Sequence, residues 1–291
     1  MNFMSNFPNS AILSLNIPFL QLSIPTHNNN WQGFCHHPIF AAVETIYNDK
    51  IHAMKKMKIA ALGDSITKGV VLNQENNYSV LEDSFIGLLQ EKAGVAIDNY
   101  GKFGCTISYA HHLIDRHPEE IASADYTLLE YGGNDCDFYW KRIALDPSGD
   151  HQPKTSLKTF VDSFMKLIDK IRSLGSTPLI LSLPPINSEA YFNFFSKGMS
   201  DEQKANILGW MGGEKGAIAR WHDSYNKELF EIAERTSTPI IDITHSFYNY
   251  NGDWHSLICA DGIHPNSEGH RLIASSILST TDSRLASIFS H

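Results

Sequence analysis

Five short apolar segments, separated by stretches with the periodicity of amphipathic helices, are the feature that most restricts how this chain can fold. Strands alternating with helices form parallel sheets that carry helices on both faces. The predicted strands are residues 59–62, 95–97, 126–131, 178–183 and 239–243. The predicted helices are residues 78–93, 156–174, 220–235 and 266–278. The predicted fold is therefore α/β, a three-layer α/β/α sandwich around a five-stranded parallel sheet.

The N-terminal segment differs in composition from the rest of the chain. The first basic residue is Lys50, and a secretory signal peptide needs a positively charged start. We therefore predict that residues 1–56 form an extension that is poorly ordered or lies on the surface, outside a single domain at residues 57–291. Met54 stands directly before the first predicted strand and resembles a natural start site.

Charge and hydropathy exclude several classes of partner. The formal net charge of −9 argues against nucleic acid or an anionic membrane as the main partner. No run of about 18 apolar residues is present, so no membrane-spanning helix and no integral membrane association are expected. The four cysteines lack the spacing of metal ligands and are expected to be buried thiols in a reducing compartment. These features together predict a cytoplasmic protein, and its oligomeric state stays open.

Ser65 stands where the first predicted strand stops, after Gly63 and Asp64. In open α/β sheets, ligand sites form at the carboxyl ends of the strands. A serine after Gly-Asp is also common in turns and at helix N-caps, so the tripeptide alone indicates little. Ser65 is therefore a candidate nucleophile that needs support from other strand ends.

Three further motifs provide that support. Residues 101–104 (Gly-Lys-Phe-Gly) and 132–135 (Gly-Gly-Asn-Asp) directly follow the second and third predicted strands. Residues 261–264 (Asp-Gly-Ile-His) lie in the longer connection after the fifth strand. A doubly wound sheet brings its strand ends to one edge, so these motifs are expected to meet Ser65 there.

The four motifs contain the groups that acyl transfer requires. Ser65 would attack the substrate carbonyl and His264 would accept its proton. Asp261 would hold the imidazole in the required tautomer. The Asn134 amide and backbone N–H groups beside the glycines would stabilise the developing oxyanion.

Each of these residues also has a purely structural explanation. Gly104 can allow a tight turn, and Asn134 can cap a helix. Asp261 can be a turn residue and His264 a surface imidazole. Taken singly, each structural explanation is as good as the catalytic one. The occurrence of all four motifs behind strands favours catalysis.

The ordered motifs resemble those of the SGNH/GDSL hydrolases over residues 57–280. The resemblance assigns Ser65 as the nucleophile and Asp261 and His264 as its partners in a catalytic triad. It also implies that Gly104 and Asn134, with the backbone N–H of Ser65, form the oxyanion hole. No motif is broken, so the resemblance implies an active enzyme.

The family implies a flavodoxin-like fold and a serine esterase or GDSL-like lipase/acylhydrolase that works through an acyl-enzyme without cofactor or metal. The expected substrates are small-molecule carboxylic esters whose acyl groups are small or carbohydrate-linked. Lipase or lysophospholipase activity and acyl transfer to another acceptor remain alternatives on the same site.

Other classes of function are less well supported. A nucleotide or flavin binder is possible on such a sheet, but neither Gly-x-Gly-x-x-Gly nor the P-loop pattern follows the first strand. Asp261 and His264 could instead bind a metal for hydrolysis. A catalytically silent carbohydrate-binding module would leave the four motifs unexplained.

Two connections are too long for simple links between elements, residues 137–155 and the aromatic-rich residues 187–219. Long insertions in compact domains are often functional, so residues 187–219 can be expected to cover the site, with Tyr139 and Trp140 contributing. Equally, Phe194 and Trp210 can belong to a small satellite cluster that packs only on itself. The sequence leaves both interpretations open.

Overall fold

The computed structural model describes residues 57–280 and, before them, the backbone of two short strands. These strands, β1 (Ser14–Ile17) and β2 (Leu20–Ser23), pair antiparallel. In the described residues, no helix has both the length and the apolar character needed to cross a membrane.

The chain divides into two units, Met1–Lys55 and Lys56–His291, beside the predicted boundary at residue 56. Apart from β1 and β2, the predicted extension lies outside the described residues, and its disorder or surface position stays a prediction.

We expect a protein that begins at Met54 to remain folded and active, because all predicted strands and motifs lie after that residue. Thermal unfolding and ester hydrolysis check this. Aggregation, or a much lower melting temperature than that of the full chain, would show that the extension belongs to the fold.

A five-stranded parallel sheet forms the centre of the second unit, with the strand order β6-β3-β7-β8-β9. In chain order the strands are β3 (Lys58–Gly63), β4 (Val70–Leu72), β5 (Tyr78–Val80), β6 (Ala96–Asn99), β7 (Tyr126–Glu130), β8 (Thr177–Leu181) and β9 (Ile240–Ile241). β4 and β5 form a separate antiparallel hairpin. The order of the central strands is that of flavodoxin-like folds. The five predicted strands are confirmed, each to within two residues.

Eleven helices belong to the described part of the second unit. They are α1 (Ser65–Lys68), α2 (Phe85–Lys92), α3 (Ile107–Arg116), α4 (Pro118–Ser123), α5 (Trp140–Leu145), α6 (Leu157–Ser173), α7 (Ser188–Phe195), α8 (Asp201–Trp210), α9 (Ala217–Thr236), α10 (Ile243–Tyr248) and α11 (Ser267–Leu278). A 3₁₀ helix spans Trp254–Leu257. The predicted helices at residues 156–174, 220–235 and 266–278 correspond to α6, α9 and α11.

The sheet is covered on both faces, as the three-layer prediction requires. Successive side chains of β3 point to opposite faces because a strand has a period of two. Ile59 and Ala61 therefore pack with α2, α10 and α11, while Ala60 and Leu62 pack with α3, α4, α6 and α9. Two hydrophobic cores result, one on each side of the sheet.

The predicted helix at residues 78–93 is only partly correct. Residues 78–80 form β5, and α2 begins at Phe85 after the N-cap Ser84, whose hydroxyl accepts a hydrogen bond from the Gly87 N–H. Tyr78 and Val80 are residue types that favour strands, and Val80 fitted the apolar stripe of a helix only by its spacing. The pairing of β5 with β4 decides the local structure.

The two long connections pack against each other through a group of rings, here called the aromatic cluster. It comprises Phe138, Trp140, Tyr191, Phe192, Phe195, Trp210 and Trp221. The Trp140 and Phe195 rings are stacked, with centroids 4.5 Å apart. This packing of α5, α7 and α8 is the satellite cluster that one of the two interpretations of residues 187–219 predicted.

Candidate active site

Ser65 lies just after the carboxyl end of strand β3, the second strand of the five-stranded sheet. Strand β3 ends at Gly63, and the Asp64 side chain caps α1 by accepting a hydrogen bond from the Ile66 N–H at 2.8 Å. Helix α1 ends at Gly69, whose φ of 85° suits a residue without a side chain. The turn therefore holds Ser65 at the start of a short helix, where it is 6% exposed.

Ser65, His264 and Asp261 form a continuous chain of hydrogen bonds. The Ser65 Oγ lies 2.8 Å from Nε2 of His264. Nδ1 of the same ring lies 2.6 Å from Oδ2 of Asp261. A base within hydrogen-bond distance of a hydroxyl, itself oriented by a carboxylate, is the arrangement that activates a serine. All three side chains are buried.

The Asp261 carboxylate is held in its charged form. Burial raises its pKa, but the hydrogen bond and charge of His264 and two backbone N–H groups outweigh burial, so the pKa lies below its ordinary value. The two N–H groups belong to Ile263 and His264 and lie 3.1 Å from Oδ1. One oxygen therefore anchors the loop while the other orients the imidazole.

The loop that carries Asp261 and His264 is tightly fixed at Gly262. This residue has a φ of 80°, and a Cβ added there would lie 2.4 Å from the backbone nitrogen of Tyr191. The Gly262 carbonyl accepts a hydrogen bond from the Asn187 N–H at 2.8 Å. The start of α7 thus presses against the loop, so residues 187–219 help to position His264.

Three N–H groups are available for an oxyanion near Ser65. Asn134 and Gly104 line the same cleft as Ser65. The backbone N–H groups of Ser65 and Gly104 donate no hydrogen bond within the part of the chain that the structure describes. Asn134 donates one N–H to Oδ2 of Asp64 at 2.8 Å, which fixes the amide and leaves its second N–H free to act.

Asp64 and Glu130 form a fully buried carboxyl pair behind Asn134. Asp64 is 1% exposed and Glu130 is 0% exposed. The Thr67 hydroxyl donates to Oε2 of Glu130 at 2.9 Å. Burial, followed by the Asp64 charge, raises the pKa of Glu130 well above its ordinary value, and burial also raises the pKa of Asp64. We therefore expect one proton to be shared by the pair and Glu130 to hold it.

The carboxyl pair predicts a dependence of stability on pH. Because the folded pKa of Glu130 is raised, its contribution is complete below the ordinary value of 4.5 and is lost as the pH rises toward the folded pKa. Glu130→Gln cannot ionise, so the melting temperature of this variant relative to wild type should increase between pH 5 and pH 9. Thermal unfolding at both pH values measures this, with Glu234→Gln at an exposed carboxyl as control. A constant or falling difference would contradict the shared proton.

Aromatic side chains that the sequence did not indicate surround His264. The Tyr78 ring lies 5.4 Å from the imidazole and the Phe103 ring 5.8 Å, measured between centroids. Burial, then the charge of Asp261 and a hydrogen bond to it, raises the pKa of Tyr78. The sequence did not point to Tyr78, because residues 78–84 were wrongly predicted to be helical. The sequence did contain an indication that Glu130 is unusual, because Glu130 is the single charged residue in an otherwise uncharged predicted strand.

The cleft beside Ser65 has a volume of about 320 Å³. Tyr191, Phe194 and Phe195 of α7 line it, so the insertion contributes walls as well as satellite packing. Trp140 also lines this cleft. Trp210 lines a second cleft instead. Residues of α7 therefore line the cleft and Trp210 does not, while a covering role for residues 187–219 stays a prediction.

The described cysteines fit the expectation of thiols. Cys105, Cys136 and Cys259 are free, and two of them are buried. Burial raises the pKa of Cys136 well above its ordinary value, which keeps it a neutral thiol beside the cleft. Cys35 lies outside the described residues.

Several known proteins are similar to this chain in sequence or in fold. An uncharacterised lipoprotein, YqeF of Bacillus subtilis (strain 168), is 22% identical over 74% of this chain and 85% of its own length. The GDSL esterase/lipase CPRD49 of Arabidopsis thaliana is 24% identical over 64% of this chain and 66% of its own. A catalytic mutant of Axe2, an acetylxylan esterase from Geobacillus stearothermophilus, has a similar fold, with a TM-score of 0.52 at 17% identity over 76% of this chain and 92% of that one.

The family itself is identified by residues 61–272, which match the GDSL-like lipase/acylhydrolase family over well more than half of the chain. The flavodoxin-like strand order and the Gly-Asp-Ser turn at the end of β3 agree with that match. This protein belongs to the GDSL-like lipase/acylhydrolase family and is a carboxylic ester hydrolase.

Proposed function

We propose that the protein is a serine esterase that cleaves esters through an acyl-enzyme formed on Ser65. The observation that carries this proposal is the hydrogen-bond chain from Ser65 through His264 to Asp261. The proposed substrates are small-molecule esters whose acyl group is small or is linked to a carbohydrate. The acetylxylan esterase with a similar fold supports the carbohydrate alternative by its name alone.

In the first step, the Ser65 Oγ attacks the ester carbonyl carbon and its proton passes to Nε2 of His264. Asp261 stabilises the imidazolium through Nδ1. The carbonyl oxygen becomes an oxyanion and accepts hydrogen bonds from Asn134 and from the backbone N–H groups of Ser65 and Gly104. When the tetrahedral intermediate collapses, the imidazolium gives its proton to the departing alcohol.

In the second step, water repeats this sequence on the acyl-enzyme. His264 removes a proton from the water as it attacks the acyl carbon, and returns a proton to the Ser65 Oγ as the acid leaves. An alcohol in place of water would turn the same site into an acyltransferase. Lipase or lysophospholipase activity would differ only in the acyl group and alcohol that enter the cleft.

A labelling experiment tests the proposal directly. A fluorophosphonate should modify the protein at one serine, and mass spectrometry of the peptides should locate it at Ser65. A panel of 4-nitrophenyl esters of increasing chain length, with acetylated sugars alongside, should show turnover and rank the substrates. Modification at another serine would overturn the assignment of the nucleophile.

The labelling experiment and the ester panel, the latter repeated with a chelator, also distinguish a serine esterase from two other classes of protein. A metal-dependent hydrolase would lose activity with a chelator and would not be labelled at Ser65. Both nitrogens of His264 are engaged by Asp261 and Ser65, which favours the serine mechanism. A silent carbohydrate-binding module would bind sugars without hydrolysing any ester or reacting with the fluorophosphonate.

The cytoplasmic location and the absence of nucleic-acid partners are proposals that rest on the sequence. The net charge of −9 supports the second. The matched Bacillus subtilis protein is a lipoprotein by its name. Immunoblotting of cytosolic and membrane fractions from the source cells tests the location.

A further inference from the structure

The cleft that contains Ser65 has walls of two kinds. Beside His264 stand the rings of Tyr78 and Phe103, which are 42% and 48% exposed. Other walls come from the aromatic cluster and include Trp140 and Trp221. One side of the cleft is therefore open to water, and the other side is made of packed aromatic rings.

The proposed chemistry assigns one part of the substrate to each side. His264 must give its proton to the leaving oxygen, so the alcohol departs beside the imidazole, near Tyr78 and Phe103. The carbonyl oxygen points toward Asn134. The acyl group then takes the remaining direction, toward Trp140 and Trp221.

The cleft as a whole is larger than an acetyl ester of a small alcohol requires. The whole cleft measures about 320 Å³, whereas a cavity of about 150 Å³ is enough to hold benzene. Flat rings such as those of Trp140 and Trp221 favour an aromatic occupant, because rings pack edge-to-face or offset with one another. The size and the walls suit an acyl group that contains one ring.

Polar groups in these walls differ in whether they have partners. Asp137 accepts hydrogen bonds from Lys154 Nζ and from Trp140 Nε1, both at 2.8 Å. Its charge is therefore already satisfied by the protein. Tyr191 also interacts with Asp137 and Trp140, whereas a further polar side chain in the same walls, His222 of α9, does not.

His222 is buried without a hydrogen bond. It is 4% exposed, and its Nδ1 has no hydrogen-bond partner. The nearest carboxylate oxygen, of Asp223, lies 4.0 Å from Nδ1, which is beyond hydrogen-bond distance. No hydrogen bond to Nε2 occurs within the described residues, and this atom is not enclosed as Nδ1 is. His222 lines the cleft, so Nε2 is the ring nitrogen left for a molecule bound there.

We propose that the cleft binds an aromatic acyl group with a hydroxyl at its far end, and that His222 hydrogen-bonds this hydroxyl. The inference rests on the proposed function, because it takes the direction of the acyl group from the roles of Ser65 and His264. His222 makes no side-chain hydrogen bond within the described residues, so its Nε2 can bond a ligand hydroxyl without giving up a partner in the protein.

Esters that share one leaving group test the proposal, because only the acyl group then changes. The substrates are 4-nitrophenyl acetate, phenylacetate and 4-hydroxyphenylacetate, with each kcat/KM divided by the rate constant of hydroxide-catalysed hydrolysis. We expect the phenylacetate to exceed the acetate by at least about tenfold, since the ring is buried. The hydroxyl should add a further three- to tenfold, roughly the effect of one hydrogen bond.

Variants of His222 separate the hydroxyl effect from that of the ring. His222→Leu should abolish the advantage of the hydroxyl and keep the preference for phenylacetate over acetate. His222→Gln, which retains hydrogen-bonding atoms, should keep part of the hydroxyl advantage and serves if the Leu variant fails to fold. Trp210→Phe is the matched control, because Trp210 belongs to the aromatic cluster but lines the second cleft.

The outcomes distinguish this inference from the proposed function. Labelling of Ser65 and turnover of the acetate without a preference for the arylacyl esters would overturn the inference alone. A hydroxyl advantage that survives in His222→Leu would overturn the role of His222. Failure of both labelling and turnover would overturn the proposed function.

Discussion

Replacement of Ser65 by alanine should lower ester hydrolysis by roughly 10⁴-fold or more while the protein stays folded. The Oγ is the atom within 2.8 Å of His264 Nε2, so its removal leaves the base without a nucleophile to activate. Alanine fits the space of the serine, and the Asp64 cap of α1 does not involve the Ser65 side chain. Steady-state hydrolysis of 4-nitrophenyl esters measures the loss, and circular dichroism checks the fold.

The matched control is Ser148→Ala, at an exposed serine whose hydroxyl contacts Asp146. This variant should keep both its turnover and its reaction with a fluorophosphonate. Ser65→Ala should lose both. A folded Ser65→Ala protein that hydrolyses esters at a rate close to wild type would refute the triad.

Replacement of Asn134 by alanine should lower kcat by about 10²–10³ and change KM much less. The charge on the carbonyl oxygen develops mainly in the transition state, where the second N–H of the Asn134 amide would act. Asp64 holds the first N–H at 2.8 Å, so the donor is already oriented before substrate binds. Kinetics on one ester, with kcat and KM determined separately, test this expectation.

Asn249→Ala is the control, since Asn249 is an exposed asparagine at the end of α10. Its kcat should match wild type. A loss in Asn134→Ala that lies wholly in KM would reassign Asn134 to binding of the ground state. A loss of folding would instead show that its bond to Asp64 is needed for stability.

Local sequence patterns were sufficient to predict the strands of the central sheet. They were not sufficient to predict short elements such as β5. Apolar runs such as residues 126–131 have one structural solution, because such a run is stable only when both faces of the strand are covered. Residues 78–80 have no such constraint. They form β5 only because β4 is available for pairing, and pairing partners are not encoded locally.

The aromatic insertion shows why a pattern can support two interpretations at once. Its rings make residues 187–219 too apolar for a solvated loop, which both the satellite and the covering interpretation explain. The contacts of each residue decide which of the two interpretations applies to it. Phe194 lines the cleft beside Ser65, while Trp210 lines another. The Trp210 ring contacts Trp140 of α5 and the Phe194 ring contacts Tyr78 of β5, and both partners are distant in sequence.

What the sequence alone determined is the set of groups at the carboxyl edge of the sheet. Ser65, Asn134 and His264 each lie after a strand, and a parallel sheet brings strand ends together whatever the rest of the chain does. Tertiary structure decided the surroundings of these groups. The partner of Glu130, the rings beside His264 and the unpartnered nitrogen of His222 all depend on burial between distant segments. Burial sets the local dielectric and the available hydrogen-bond partners, and neither can be read from residues near in sequence.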